Sequence, residues 1–588
     1  MIFPFFSVPL WFVSSLFLND MSTMQNSELQ TAAFMTLGCK VNQYETQVMR
    51  ESLRKCGYRI GEWGELADVY VINTCTVTGV SDRKSRQMIR RAVALNPDAV
   101  VVVTGCYVER CADEIRNMPG VDLVLLNNEK HLIGEYLSSP LYQRMKPHSP
   151  LYQRGARGDF ERKANLGDHP ESPFGKDSPT PALHHQRRRR VEDYGEIPPN
   201  PPLIRGETES SVSSIRSNSV PALPRQRGSG VENDGEIPPN PPLIRGEMES
   251  SVPLIRGETE LSVPSIKGEM ESSVSSIRGE NCYPGITSFD GQTRALVKIE
   301  DGCDSFCTYC IVPYTRGGTI RSRPIDSIVQ EVRSLAKNGH HEMVLTGIHL
   351  GAYGKMTDGT MLHHVLQAVH EVDGVQRIRL SSIEPMDISD DLINTMARLR
   401  KCAHHFHISL QSGSDRILRL MRRGYTSSDF RDVVDRIRAA MPDVGLSTDV
   451  MVGFPGETEE DFRDTCDLIS GVRFSRLHVF RYSPRSGTPA AKFPDRVQNS
   501  VASRRSEEAR MLGDSLAQEF RSQMLGKTAE VLVEESREGK DRLLAGFTSN
   551  YVRALITDAP DELAGEMVQV KLVDVEDEYM IGRLEPDQ

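Results

Sequence analysis

Three cysteines fall within eight residues, Cys303, Cys307 and Cys310, in the run Cys-Asp-Ser-Phe-Cys-Thr-Tyr-Cys. A loop this tight can point three thiolates at one metal centre. A cubane iron–sulfur cluster takes four ligands, so one iron stays open for a substrate or cofactor. Buried structural cysteines or half of a zinc site are the competing readings. Zinc sites favour paired halves of closely spaced cysteines, and no matching second half follows here.

Cys39, Cys75 and Cys106 make a second set. Each ends an apolar run: TAAFMTL into Gly38-Cys39, ADVYVINTC, and AVVVVTGC. The helical patterns QYETQVMRESLRKCGY and DRKSRQMIRRAVALN separate these runs, and VDLVLLNN adds another strand. Such alternation predicts a parallel α/β sheet. Ligands gather at the carboxyl ends of strands in open parallel sheets, so the three cysteines can meet at one point. Three unrelated core cysteines are the competing reading. Cys56 and Cys111 lie in helical or loop contexts and read as structural.

From residue 293 the strand–helix rhythm repeats six times. The strands are TRALVKIED, HEMVLTGIHLGAYG, QRIRLSSIEP, HHFHISLQSGS, GLSTDVMVGFPGE and FSRLHVFRYSPR. Six such units predict an open, partial (β/α)6 TIM-like barrel with its chemistry at the strand ends. The residues there are Cys303–Cys310, Thr346-Gly347, Glu384-Pro385, Gln411-Ser412-Gly413, Gly453–Glu457 and Ser483–Arg485. Residues 501–520 read as a connecting helix. Short strands from about 523 onward, split by Gly and Asp turns, suggest a small β-barrel.

Between these parts, residues 137–281 have another character. GEIPPNPPLIRGE occurs at 195–207 and again at 235–247, and LYQR at 141–144 and 151–154. The segment is rich in Pro, Ser, Gly, Glu and Arg. It has too little apolar surface to offset ordering entropy, which predicts a disordered insertion. The run Arg187–Arg190 reads as a solvated stretch or a nucleic-acid contact.

A chain of 588 residues predicts about three or four domains. Lys+Arg 70 against Asp+Glu 81 gives a net charge of −11, so there is no global basic field and any RNA binding rests on local patches. Eleven cysteines without scaffold spacing favour metal ligation in a reducing cytosol over a disulfide framework. Residues 1–18 are apolar, but no Lys or Arg precedes them and no small-residue cleavage site follows. They read as an over-extended start within a 1–30 extension, with translation beginning at Met21 or Met24. The remainder carries no spanning segment, so the expectation is a cytoplasmic protein without stable membrane association.

With these residues laid out, the chain resembles the radical S-adenosylmethionine (SAM) methylthiotransferases. LGCKVNQYET, INTCTVT and VTGCY resemble the cysteine motifs of that family's N-terminal domain. SLQSGSD, VGFPGET and YSPRSGTPA resemble phrases of its barrel, and the tail resembles a TRAM domain, an RNA-binding β-barrel. The resemblance divides the chain into an N-terminal methylthiotransferase domain at 31–136, a radical-SAM core at 289–515 and a TRAM-like domain at 523–588. The LGCKVNQYET form most resembles the branch that modifies N6-threonylcarbamoyladenosine in tRNA. Branches acting on isopentenyladenosine, or on a ribosomal protein, are the near alternatives. A non-catalytic iron–sulfur redox sensor with an RNA-binding tail is the alternative of another class.

The resemblance implies two [4Fe-4S] clusters. Cys303, Cys307 and Cys310 would hold the SAM-binding one, and Cys39, Cys75 and Cys106 the sulfur-donating one. It implies that one SAM is cleaved to a 5′-deoxyadenosyl radical, which takes hydrogen from C2 of the adenine, while a second SAM methylates the sulfur. A low-potential electron donor and a sulfur source are implied partners, along with tRNA. Tyr309, Thr346, Gly347, Glu384 and Gln411 are the candidate SAM contacts, although the family's usual Gly-Gly-Glu form is absent at Thr346-Gly347. Ser483 and Arg485 are candidates to face substrate.

Candidate RNA contacts are Arg83, Lys84, Arg86, Arg90 and Arg91; Arg316, Arg321 and Arg323; and Arg416, Arg419, Arg422 and Arg423. Charges of this kind bind phosphates without reading sequence. Solvated helix faces are the competing reading. Residues 521–588 carry eight Lys/Arg against fifteen Asp/Glu, so charge alone does not bring RNA there. Phe547, Asn550, Tyr551 and Arg553 are candidates for a local stacking surface.

Overall fold

The computed structural model describes residues 29–139, 285–357 and 359–585. The apolar start and the repeat-rich segment with Arg187–Arg190 lie outside the described residues.

The first strands are β1 (Thr31–Thr36), β2 (Arg59–Gly61), β3 (Val69–Thr74), β4 (Val100–Gly105) and β5 (Leu123–Leu125). They form one parallel sheet in the order β2-β1-β3-β4-β5. Strand alternation supplies two cores. Val101 and Val103 face one, with Tyr70 and Ile72. Val100 and Val102 face the other, with Val69 and Val71. Each such fully buried side chain stabilises the fold by roughly 1.5–3 kcal/mol. The short edge strand β2 was not foreseen in the sequence.

The central strands are β6 (Ala295–Lys298), β7 (Glu300–Asp301), β8 (Arg321–Ser322), β9 (Glu342–Thr346), β10 (Arg377–Leu380), β11 (Ser382–Ile383), β12 (His405–Ile408), β13 (Gly445–Val452) and β14 (Arg476–Arg481). Parallel sheets β10-β9-β6 and β11-β12-β13-β14 run on into each other through a bridge between Ile378 and Cys402. The result is an open arc of six main strands, with the antiparallel pair β7-β8 beside the cysteine loop. Helices such as Ile325–Lys337, Ser427–Ala440 and Glu459–Val472 pack their apolar faces against the arc. The other face of β12-β13-β14 carries His405, His407, Ser447, Asp449, Arg476 and His478. Parallel register sets His407 beside Ser447, and Asp449 beside His478. A helix at Asp415–Met421 was also not foreseen.

After the long helix Asn499–Ser522 come β15 (Thr528–Glu538), β16 (Leu543–Thr548), β17 (Arg553–Thr557), β18 (Met567–Glu576) and β19 (Tyr579–Leu584). They close into a barrel in the order β15-β16-β17-β19-β18. Among the described residues, no helix is long and apolar enough to cross a membrane.

Candidate active site

Cys39 immediately precedes the helix Lys40–Lys55, and Cys106 opens the helix Cys106–Arg116. Cys75 follows β3, four residues before the helix Gly79–Leu95 begins. Three strand ends and three helix N-termini therefore meet at these cysteines, and helix N-termini favour thiolate. The Cys75 thiol is within electrostatic reach of Cys106 and Cys39. Gly38 lets them approach. Its φ is +101°, and a Cβ there would meet Cys75 Cβ at 2.8 Å and Sγ at 3.0 Å.

The second triad sits in the loop after β7. The Cys310 thiol is within electrostatic reach of Cys307 and Cys303. Phe306, between them, is held at φ +46°, a strained value for a bulky residue. Each sulfur has a facing partner: Val312 N to Cys310 at 3.4 Å, Arg423 Nη1 to Cys307 at 3.5 Å, and His349 Nδ1 beside Cys303 at 3.8 Å. His349 is held in turn by Asp387 at 2.7 Å.

All six thiols are free. Burial pushes the Cys75 and Cys307 thiols up, and Cys310 up to about 12. Thiols in this state are poor nucleophiles alone, and a bound metal deprotonates them outright. Among the described residues, no three His, Cys, Asp or Glu side chains are close enough to share a single metal ion. Three thiols that feel each other's charge are a donor set that fits a multi-iron cluster, in which each sulfur would take a different iron.

A buried polar group ties the first triad to the segment that follows the second. Arg316, read from the sequence as an RNA contact, is fully buried and donates through Nε to Cys106 Sγ at 3.2 Å. Its Nη2 donates to Asn42 Oδ1 at 2.5 Å and to Glu45 at 3.0 Å. Glu45 also accepts from Lys130 at 2.5 Å and Lys298 at 2.8 Å. Burial opposes ionisation of Glu45, but Arg316, Lys130 and Lys298 outweigh it and hold the carboxyl well below its ordinary range. Neither Glu45 nor Lys130 was singled out in the sequence, because their partners lie far along the chain.

Other basic candidates are likewise engaged inside the protein. Arg323 is buried on Glu331 at 2.5 Å and on the Lys298 carbonyl at 2.8 Å. Arg423 is buried and pairs with Glu384 as well as Cys307. Arg485, a candidate to face substrate, is engaged inside the protein. It is buried against Asp82, 2.7 Å away, and Thr76, and so pins the segment that follows Cys75. Arg416 pairs with Asp461, and Arg321 binds the Arg316 carbonyl at 2.7 Å. Arg86 donates to the Tyr107 hydroxyl at 2.6 Å. Arg83, Lys84, Arg90, Arg91, Arg419 and Arg422 remain exposed. An exposed helix face and a buried hub have the same spacing in sequence, so spacing did not separate them.

Of the candidate SAM contacts, Tyr309 packs against the apolar cluster of Ile417, Met421, Phe454 and Ala490 and is within electrostatic reach of Arg423, Cys307 and Glu384. The Thr346 carbonyl accepts from Ile299 N at 2.9 Å. Gly347 lies against Glu300, whose Oε2 would be 2.5 Å from a Cβ at that position. Glu300 is buried, and burial raises its carboxyl to about 7. Its Oε2 accepts from His349 N at 2.7 Å, and its Oε1 has no hydrogen-bond partner among the described residues. Glu384 is tied to Arg423. Gln411 is buried in the left-handed region at φ +65°, hydrogen bonded through its backbone to Asp449 and Met451. Ser483 is half-buried.

The proposed stacking residues are covered from within. Phe547 and Tyr551 stack at 4.5 Å. Arg294 and Arg553 lie over Phe547 at 4.7 and 4.5 Å, and Arg379 lies over Tyr551 at 4.6 Å. Asn550 is buried. These contacts join the β-barrel to the strand arc, while Phe547, Tyr551 and Arg553 stay half-buried and line a cavity there.

Residues 297–469 match the Radical SAM superfamily, and residues 31–126 match the uncharacterized protein family UPF0004. The chain is 33% identical over 548 residues to the threonylcarbamoyladenosine tRNA methylthiotransferase MtaB of Bacillus subtilis, covering 93% of this chain and 94% of that protein. It belongs to the MtaB family of radical-SAM methylthiotransferases. The MtaB protein of Thermotoga maritima is 29% identical over 530 residues, covering 89% of this chain and 91% of that one. The tRNA-2-methylthio-N(6)-dimethylallyladenosine synthase of Acetivibrio thermocellus is 42% identical over 280 residues, 47% of this chain and 58% of that protein. Within the family, the two triads, Arg316 and Glu300 are this chain's candidate machinery.

Proposed function

We propose that this enzyme adds a methylthio group at C2 of N6-threonylcarbamoyladenosine beside the anticodon of tRNA, using SAM and two [4Fe-4S] clusters. The observation that carries this is the pair of thiol triads, with Arg316 reaching Cys106 of one from the segment that follows the other, in a chain related along its length to MtaB proteins. The near alternatives are not favoured, because the dimethylallyladenosine synthase relative aligns with only 47% of this chain.

Cys303, Cys307 and Cys310 would hold the SAM-binding cluster, and Cys39, Cys75 and Cys106 the second one. When bound, these groups supply one-electron chemistry able to break an aromatic C–H bond, together with the sulfur to be transferred. The chain's own contribution is positioning. Glu300 and Gly347 form a cradle with one buried acceptor unpartnered, which fits the ammonium of SAM. The Tyr309 ring supplies a face for its adenine. Arg423 and His349 direct polar hydrogens toward sulfur, and such bonds tune iron–sulfur centres. Arg316 does the same at Cys106 and locks the two cysteine-bearing regions together. The terminal β-barrel is assigned as TRAM-like. Exposed Arg83, Lys84, Arg90 and Arg91 supply phosphate contacts on the first domain.

The test is nucleoside mass spectrometry of tRNA from a strain lacking the gene and any redundant enzyme. The 2-methylthio form of threonylcarbamoyladenosine should disappear. Its persistence would overturn the substrate assignment.

A further inference from the structure

A polar recess between the strand arc and the β-barrel is lined by Arg476, Phe547 and Tyr551, among others. Beside it lies the face of β12, β13 and β14 that carries His405, His407, Asp449 and His478. His407 Nε2 is 3.3 Å from Asp449 and His478 Nδ1 is 3.9 Å from it, with the two imidazoles 5.5 Å apart. Ser447 Oγ bridges His405 and His407 at 2.9 and 3.0 Å. Tyr551, 4.7 Å from the His405 ring, forms one wall.

Lys40 reaches this place from the first domain. It lies within electrostatic reach of Tyr551, Arg294, Arg379 and Asp449; desolvation there, with the two arginines, lowers its pKa, and it acts on His405 and His478, as does Arg476. Two of the cations near Lys40 are already matched. Arg379 is spent on Glu342 at 2.7 Å, and Arg294 on Glu534 at 3.0 Å. Lys40 and Arg476 make no hydrogen bond or ion pair among the described residues. Both are solvent-accessible. Lys40 is also the first residue of its helix, a turn with no acidic residue, where the helix dipole disfavours a cation. Folding gives no reason for a lysine there.

We propose that this recess binds the free carboxylate of the threonylcarbamoyl group, with Lys40 and Arg476 as its cationic partners. The inference rests on the proposed function above and adds a subsite to it. Lys40 adjoins Cys39, so one nucleoside can offer its ring to the sulfur-donating triad while its N6 substituent reaches the lysine. A neutral N6 substituent would leave both cations unmatched, which gives discrimination by charge.

The test measures binding of three anticodon stem-loop RNAs to reconstituted protein. They carry threonylcarbamoyladenosine, its carboxyl methyl ester, or plain adenosine. Wild-type protein should bind the acid about tenfold tighter than the ester, the scale of one charged hydrogen bond. Lys40→Gln and Arg476→Gln should each bring that ratio close to one while leaving ester binding within about twofold. Iron content is checked in both, and Arg476→Gln keeps the test valid if Lys40→Gln disturbs the neighbouring cluster site. Variants that keep the wild-type acid-to-ester ratio would overturn the subsite alone. Failure of wild-type protein to methylthiolate the acid-bearing stem-loop would overturn the functional reading itself.

Discussion

Arg316 donates to the sulfur of Cys106 at 3.2 Å although 210 residues separate them in the chain. The same guanidinium is bound by Glu45, so one residue links a strand-end thiol to the loop that follows the second triad. Arg423 stands in a similar relation to Cys307 at 3.5 Å. Each triad thus has one buried arginine directed at one sulfur.

Replacing Arg316 by Ala leaves Glu45 with two lysines and removes the donor to Cys106. Breaking a buried ion pair in this way costs about 3–5 kcal/mol. Chemical unfolding of the Arg316→Ala protein should show a loss of that order, with Arg316→Lys recovering part of it. A loss below about 1 kcal/mol would contradict the buried linkage.

Gly38→Ala should disturb the first triad selectively. The new Cβ would meet Cys75 at 2.8 Å, and φ of +101° is unfavourable for alanine. Iron bound per chain in reconstituted protein should fall by about half. Full iron content would show that Gly38 does not set the spacing of the triad.

Much of this arrangement is legible in the sequence. The apolar runs that end in Cys39, Cys75 and Cys106 require strands, and parallel topology brings their ends together. The tight loop at Cys303–Cys310 needs no long-range information. The role of each arginine is not legible. Arg316, Arg323, Arg423 and Arg485 share the spacing of solvated residues, and their acidic partners come from distant elements. Glu300 and Lys40 are similar cases. One is recognisable only through an unpartnered oxygen beside Gly347, the other only through histidines on β12 and β14.

Glu300→Gln should weaken SAM binding about tenfold, since the carboxylate partner of the ammonium is replaced by a neutral amide. Equilibrium binding to reconstituted protein of unchanged iron content measures this. Unaltered affinity would remove Glu300 from the SAM site.

The barrel joint should be acid-sensitive. Burial opposes ionisation of Glu342, but Arg379 and Arg377 outweigh it and hold the carboxyl at about 2. A carboxyl depressed from 4.5 stabilises the fold above pH 4.5, and that contribution is lost as pH falls through about 2. The full linkage is worth about 3 kcal/mol. The Glu342→Gln protein should therefore be less stable than wild type at neutral pH, and the difference should shrink toward pH 2. A constant difference across that window would contradict the assignment.

The central claim is that two separate triads each hold a cluster. Iron and sulfide content of anaerobically reconstituted protein tests it most directly, with Cys39, Cys75 and Cys106 intact or all replaced by alanine. Wild-type protein should carry about eight irons and the triple variant about four, one four-iron cluster per triad. About eight irons in a folded triple variant, or about four in the wild type, would contradict the account.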